Sequence, residues 1–515
     1  MTTTTTGGPP RETRDDDAAT QRHIRGSSLL FAGRLIALLI NFVGQVLTVR
    51  YLTKGDYGAF SWALSVVSVA VVVNLSGVSR AVSRLMPAFD ERGDRPAARG
   101  TLVLAVGTVF VLGTALVCLT LGGRALLSQQ IAQDPLSVEL LLVVVLLVPL
   151  QAFDHVMQEL AAFLVGARAI FFRRHLLGPL LKLAVVLAVL ALQADVRALA
   201  IGYVIAGAIG VAAYAWVLRR APSARWLWQR GVRLPGRTVS GYAVPMLVTD
   251  LVGVLGVALA VIVVESYRGT VEVASYRAVV PVAGLILVVL QSFRFLFMPL
   301  ASRLHARGAD VEVGELYWRT TLWIAVLSFP VFAVCFMLAE PAVWLLFGER
   351  YAGSAELLAL LSVGFYCNSA LGLNSDSLQA CGRMRFLVGV SLTALAVRCV
   401  LLFALVPSLG AFGAAISTAL TAVVHNVLNQ LGVLRVCGFA GPPASCRVAF
   451  GRVGGAAAVL VLAQAAWGPP LWAGALLAAC AAAFVLAANR QALDLGSTFP
   501  ELARVPFVGR LLGGP

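Results

Sequence analysis

Apolar stretches recur along the whole chain, each close to the roughly 20 residues that cross hydrocarbon as a helix. They place predicted spans near 27–50, 57–79, 100–122, 136–165, 172–194, 197–219, 238–264, 277–300, 318–340, 354–380, 385–407, 410–436, 449–468 and 471–489. Short polar loops separate them, and prolines mark several boundaries, among them Pro87, Pro222, Pro235, Pro407 and Pro469–Pro470. The expected fold is an all-α polytopic membrane protein of about fourteen transmembrane helices. Residues 1–26 are polar and lack the apolar core of a cleavable signal, so they read as a disordered cytoplasmic tail, with the first span as the targeting signal.

Short patterns repeat between the two halves at a nearly constant offset. Met86-Pro87 is matched by Met298-Pro299, each after a local arginine, Arg84 or Arg294. Gly166-Ala167-Arg168 leaves the fourth span as Cys381-Gly382-Arg383 leaves the tenth. Spans 1–6 thus pair with spans 7–12. An even number of spans per repeat predicts two six-helix lobes related by a pseudo-two-fold axis along the membrane normal. The expected division is an N-lobe at 27–220, a cytoplasmic linker at 221–237 and a C-lobe at 238–436. Accessory spans 13 and 14 fill 437–489, and a cytoplasmic tail fills 490–515.

Composition agrees with the span pattern. The 515 residues are 59% hydrophobic and 13% charged, with mean hydropathy +0.87. A soluble domain is about 45–50% apolar and about 25% charged. The net charge of +15 does not require a nucleic-acid partner, and none is expected, because cytoplasmic loops of membrane proteins collect Arg and Lys. With the N-terminus inside, most of the basic residues fall in cytoplasmic loops. The outer loops receive only Arg50, Lys54, Arg124, Arg197, Arg268, Arg277 and Arg350. Both termini are therefore expected in the cytoplasm of a cell that holds this protein in its plasma or inner membrane.

Charge inside a span costs about 2.5–3.5 kcal/mol on the insertion scale, so such residues mark a cavity or a partner. Span 1 carries Arg34, Asn41, Gln45 and Thr48 on one helical face. Span 2 carries Asn74 and, at its inner end, Arg80 and Arg84. Span 4 carries Gln151, Asp154, His155 and Gln158, with Glu159 off that stripe; span 7 carries Asp250, and span 8 carries Arg294. Span 10 carries Asn368, Asn374, Ser375 and Asp376, and span 12 Thr418, Thr421, His425 and Asn429. Each has a plainer role. Arg34 and Arg294 can snorkel, and Arg80 and Arg84 can be ordinary positive-inside residues. Lys182 and Arg398 can neutralise a carboxylate such as Asp154 or Asp376. Asp250 can be a functional acid or half of a structural pair, and the amide and hydroxyl stripes can be packing glue. No Walker loop, nucleotide-binding glycine pattern or HExxH occurs, so no enzyme and no cofactor are expected. The eight cysteines show no disulfide framework and, with five histidines, no metal site.

Residues 26–94 carry a resemblance. They contain the turn Arg50-Tyr51-Leu52…Asp56-Tyr57-Gly58 and, ending span 2, Gly77 followed by Arg80 and Arg84. Later, Gln379–Thr421 (QACGRMRF…LGAFGAAISTALT) is similar to a second-half signature. Over roughly 26–490 the chain resembles the polysaccharide transport branch of the multidrug/oligosaccharidyl-lipid/polysaccharide flippase superfamily. The resemblance implies a transporter that flips a polyprenyl-diphosphate-linked oligosaccharide from the inner to the outer leaflet by alternating access of two lobes. It implies a cavity lined largely by spans 1, 2, 7 and 8. The alternative is a cation-coupled multidrug exporter of the same superfamily. The family offers no invariant catalytic motif, so site candidates come from depth and helical face. Arg34, Arg84 and Arg294 would grip the diphosphate, and Asn41, Gln45 and Asn74 would meet sugar hydroxyls. Asp250, Asp154 and Glu159 would couple an ion. The expected partners are the lipid-linked oligosaccharide, membrane lipids, and a glycan polymerase with its chain-length machinery. The glycan and the driving force stay open.

Overall fold

The computed structural model of the chain describes residues 32–125, 134–165, 171–229 and 231–493. The expected tail at 1–26 and the Gly166–Arg168 motif lie outside these residues, as does nearly all of the tail at 490–515. The first half runs α1 (Ala32–Tyr51), α2 (Lys54–Leu75), α3 (Val78–Glu91), α4 (Arg95–Gly122), α5 (Pro135–Val144), α6 (Leu147–Leu164), α7 (Gly178–Ala191) and α8 (Val196–Arg220). The second runs α9 (Gly236–Arg268), α10 (Thr270–Gly284), α11 (Leu287–Ala306), α12 (Asp310–Met337), α13 (Ala339–Phe347), α14 (Ala355–Leu371), α15 (Leu373–Ala380), α16 (Met384–Arg435), α17 (Ala444–Trp467) and α18 (Leu471–Ala488). No strand occurs among the described residues.

Among the described residues twelve helical stretches are long and apolar enough to cross a membrane, and α5 with α6, bent by 40°, makes up to thirteen. The fold class is as expected; the count differs where predicted spans 11 and 12 fuse into the 52-residue α16. Its contour of about 78 Å exceeds twice the hydrocarbon thickness. It is broken at Gly410, whose φ of 57° is not helical, at the predicted boundary between those spans.

Four predicted spans are broken rather than continuous. Span 2 parts into α2 and α3 at Ser76 and Gly77, both with positive φ. Span 4 parts into α5 and α6, span 8 into α10 and α11, and span 10 into α14 and α15. Such breaks release backbone groups that a bilayer cannot satisfy, so they belong where protein or water does so. The Asn74 amide does this in part, donating to the Val148 carbonyl in the first turn of α6. Gly77 is required twice over: its φ is 72°, and a Cβ there would collide with the Ala243 carbonyl.

The chain divides into two compact units. One comprises Met1–Thr48, Val67–Ala125 and Glu139–Leu251; the other comprises Val49–Val66, Leu126–Val138 and Val252–Pro515. The first unit has its core where α3 packs on α4 and α6, and α6 on α8, around Met86, Val109, Val156 and Tyr214. The second is built on α12, whose Phe329 and Phe332 pack against Tyr366 of α14, the Phe332 and Tyr366 rings stacked at 4.5 Å. There the Arg50–Gly58 turn acts as a clasp. Thr53 caps the start of α2: its Oγ1 accepts from the Asp56 amide and donates to Asp56 Oδ2. Arg50 donates to the Leu345 and Leu346 carbonyls near the end of α13, and Arg350 donates back to those of Val49 and Arg50. A Cβ on Gly58 would collide with the Thr270 carbonyl.

Candidate functional site

The first unit concentrates charge on the broken helices. Arg80 of α3 grips Asp250 of α9 with a fork: Nε donates to Oδ2 at 3.1 Å and Nη2 donates to Oδ1. The guanidinium is about half exposed and the acid less so. One turn along α6 from Asp154, Glu159 is half-buried, with Arg80 and Arg174 in electrostatic range. Asp154 itself receives Nη2 of Arg173, whose Nε donates to the Gly210 carbonyl at 2.9 Å. The Arg173 guanidinium lies over the Tyr214 ring at 5.2 Å and is nearly buried. Arg173 comes from the π-helical turn Phe171–Leu177 that precedes α7. A π-turn offsets side chains from the regular helical face, which aims this arginine inward.

Of the sequence candidates in this unit, Arg34, Asn41 and Arg84 are exposed and Gln45 is half-buried. Thr48 bonds back to the Gly44 carbonyl of its own helix at 2.7 Å. Asn74 is fully buried, its amide committed to Val148. The three acids proposed for coupling, Asp154, Glu159 and Asp250, all fall in this unit, each with a basic partner or neighbour.

The second unit holds a different constellation. Arg294 of α11 forms an ion pair with Asp376 on α15, its Nε 2.6 Å from Oδ1. The arginine side chain is 55% exposed and the aspartate 2%. Around Asp376 an amide network ties α14 and α15 to α16. Asn374 donates to Asn426, Asn426 donates to Asn368 Oδ1 at 2.9 Å, and Asn429 donates to Ser375 Oγ at 3.0 Å. Asn429 also meets His425 one turn away. Arg398 is buried elsewhere, donating to Thr418 Oγ1, which Tyr276 also meets at 2.9 Å. One partner assignment is therefore corrected: Arg294, not Arg398, ion-pairs with Asp376. Asp154 ion-pairs with Arg173 and has Lys182 in electrostatic range as well. Arg173 was missed because Phe171-Phe172-Arg173-Arg174-His175 reads as a basic span edge.

Two acids at helix ends have structural bonds. Glu272 accepts from the Ala411 amide at the restart of α16, and Asp134 accepts from the Leu136 amide and from Thr270 Oγ1. They cap helices and tie loops.

A family model described as polysaccharide biosynthesis protein matches residues 47–356, well over half of the chain. No curated protein matches the chain by sequence. Among solved structures, the lipid II flippase MurJ in an inward closed conformation is similar with TM-score 0.68 at 12% identity, covering 93% of this chain and 100% of MurJ. An inward-facing multidrug resistance MATE family transporter of the MOP superfamily is similar with TM-score 0.65 at 15% identity, covering 78% and 95%. A MOP superfamily transporter from Pyrococcus furiosus, described by the reverse polarity of its binding pocket, gives TM-score 0.57 at 15% identity, covering 81% and 95%. At these identities the likeness is one of fold. By the family match the chain belongs to the polysaccharide biosynthesis protein family, on the fold of the MOP-superfamily transporters.

Proposed function

We propose that this transporter flips a polyprenyl-diphosphate-linked oligosaccharide from the inner to the outer leaflet of the cell membrane, for cell-surface polysaccharide biosynthesis. The observation that carries this is the Arg294–Asp376 pair. A guanidinium exposed over half its surface is held at one nitrogen by a buried carboxylate. An arginine oriented in this way presents a planar donor edge suited to phosphate. Arg34 and Arg84, exposed on the first unit, are further phosphate ligands in this proposal, and Asn41 and Gln45 the sugar ligands. The family match supports the polysaccharide setting, and MurJ, a lipid II flippase by name, supports the fold's capacity for such cargo. Asp154, Glu159 and Asp250 would carry the coupling ion. An inside-negative potential would itself favour outward movement of an anion by about 2.3 kcal/mol per charge per 100 mV. A polymerase and its chain-length machinery would take up the product outside.

The test is export in a strain lacking the protein, complemented with wild type or with Arg34→Ala plus Arg294→Ala. Surface glycan is expected from the wild type and not from the variant, with equal membrane insertion. Normal export from the double variant sinks the proposal. The second proposal is a cation-coupled multidrug exporter, favoured by three acids in the first unit and by likeness to the MATE fold. Proteoliposomes separate the two: the first expects movement of the diphosphate-linked glycan and the second of small organic cations.

A further inference from the structure

Two broken spans of the second unit meet at their breaks. Span 8 is interrupted at Leu285 and Ile286, between α10 and α11, and span 10 at Gly372, between α14 and α15. Ser369 Oγ, in the last turn of α14, donates to the Ile286 carbonyl at 3.3 Å. A Cβ on Gly372 would meet the Asn368 carbonyl and the Leu290 side chain of α11, each at 2.5 Å. Beyond the breaks stand Arg294, two turns into α11, and Asp376, one turn into α15. α15 has only eight residues and is rich in Asn, Ser and Asp. A helix so short and so composed does not hold itself, so its rotation is set by what it packs against. Asn374 and Asp376 lie about 200° apart around it. Asn374 bonds to α16, and Asp376 meets α11. From α16, Asn426 reaches both sides of the break. Its Nδ2 donates to Asn368 Oδ1 of α14 at 2.9 Å and to the Ala422 carbonyl at 2.8 Å. Its Oδ1 and its own carbonyl accept from Asn374 Nδ2 at 3.2 and 3.0 Å. Both amide hydrogens and the amide oxygen are thus committed, in a residue 1% exposed.

We propose that Asn426 is a positioning residue for the diphosphate: it fixes the rotation of α15 and, through Asp376, the direction in which Arg294 presents its exposed donor edge. This rests on the flippase reading above, in which that edge binds the diphosphate. The chain of contacts is short. Asn426 holds Asn374, Asn374 fixes one face of α15, and Asp376 on the other face meets Nε of Arg294. The guanidinium is planar, so holding Nε aims the two Nη nitrogens as well. An apolar residue at 426 would pack α15 against α16 but would set no angle, because hydrophobic contact is not directional. Asn429, donating to Ser375 Oγ at 3.0 Å, is a second tie between the same helices. Loss of Asn426 therefore loosens α15 without releasing it. The charge of Arg294 then stays in place while its fork loses its aim.

The test is a double-mutant cycle on the full chain in lipid nanodiscs, with farnesyl diphosphate as the probe and its affinity read by microscale thermophoresis. Asn426→Leu should weaken binding by about tenfold, an ordinary coupling within one hydrogen-bond network. Arg294→Lys should weaken it too. Adding Asn426→Leu to Arg294→Lys should weaken it no further, because a point charge has no fork to aim. Asn374→Leu plus Asn426→Leu removes both ends of the α15–α16 bond. It should restore the yield that a stranded buried amide costs and still bind as weakly as Asn426→Leu. Hydrogen exchange across α15 should be faster in both of these variants. Losses from Asn426→Leu and Arg294→Lys that multiply overturn the proposal, as does unchanged exchange across α15. Wild-type affinity in Arg294→Lys overturns the flippase reading itself, and the positioning role falls with it.

Discussion

Arg80 and Asp250 meet in a two-point fork, one nitrogen to each carboxylate oxygen, on a guanidinium that is half exposed. Exposed pairs contribute about 0–1 kcal/mol to stability. Asp250→Asn preserves shape and removes the charge, so it should barely move the unfolding temperature of purified protein. If Asp250 carries the coupling ion, the same variant should lose most export and flatten its dependence on external pH. An Asp250→Asn protein with wild-type export across a pH series would leave only a surface tether there.

The Asp154–Arg173 pair is a different case, because Arg173 is nearly buried between Asp154, Gly210 and Tyr214. Removing one partner of a buried pair costs about 3–5 kcal/mol, since the other charge is stranded. Asp154→Asn should therefore lower thermal stability, near the low end of that range because Asp154 is partly exposed. Asp154→Asn with Arg173→Gln should recover most of the loss. Export then separates the roles. Recovery of stability without export assigns Asp154 to coupling; recovery of both assigns it to structure.

The spans were legible because crossing hydrocarbon demands only length and apolarity, which one sequence displays in full. The partners were not. Whether Asp376 meets Arg294 or Arg398 depends on the rotation of three helices about their axes, and span boundaries carry an error of several residues. The break at Ser76 and Gly77 left one trace, a glycine ending an apolar run. Those of spans 4 and 8 left less, because Val145, Leu146, Leu285 and Ile286 are as apolar as the helices they interrupt. Arg173 was hidden for a further reason: regular helical spacing does not describe a π-turn.

Glycine substitutions test the close approaches directly. Gly58→Ala would drive a methyl group into the Thr270 carbonyl, and Gly77→Ala would drive one into that of Ala243 while straining a positive φ. Backbone cannot rotate aside as a side chain can, so both variants should give little monodisperse protein by fluorescence-detected gel filtration. Gly284→Ala, with open space around its Cβ, is the control expected to match wild type. Normal yield from Gly77→Ala would mean that α3 and α9 separate there at little cost.

Arg294 requires three variants, because its loss confounds stability with transport. Arg294→Ala leaves Asp376, 2% exposed, without its counter-charge, and should reduce yield. Arg294→Ala with Asp376→Asn removes both charges and should restore yield while export stays absent, if the guanidinium serves the diphosphate. Arg294→Lys keeps the charge and can still meet Asp376, but it replaces a planar fork with a point charge. A hydrogen bond to a charged group is worth about 1.5–3 kcal/mol, so this variant should weaken binding of the diphosphate-linked substrate by roughly 10–100-fold. Binding is read by microscale thermophoresis in nanodiscs and export by surface glycan staining. Unchanged substrate binding in Arg294→Lys together with full export in the double variant would confine Arg294 to neutralising Asp376.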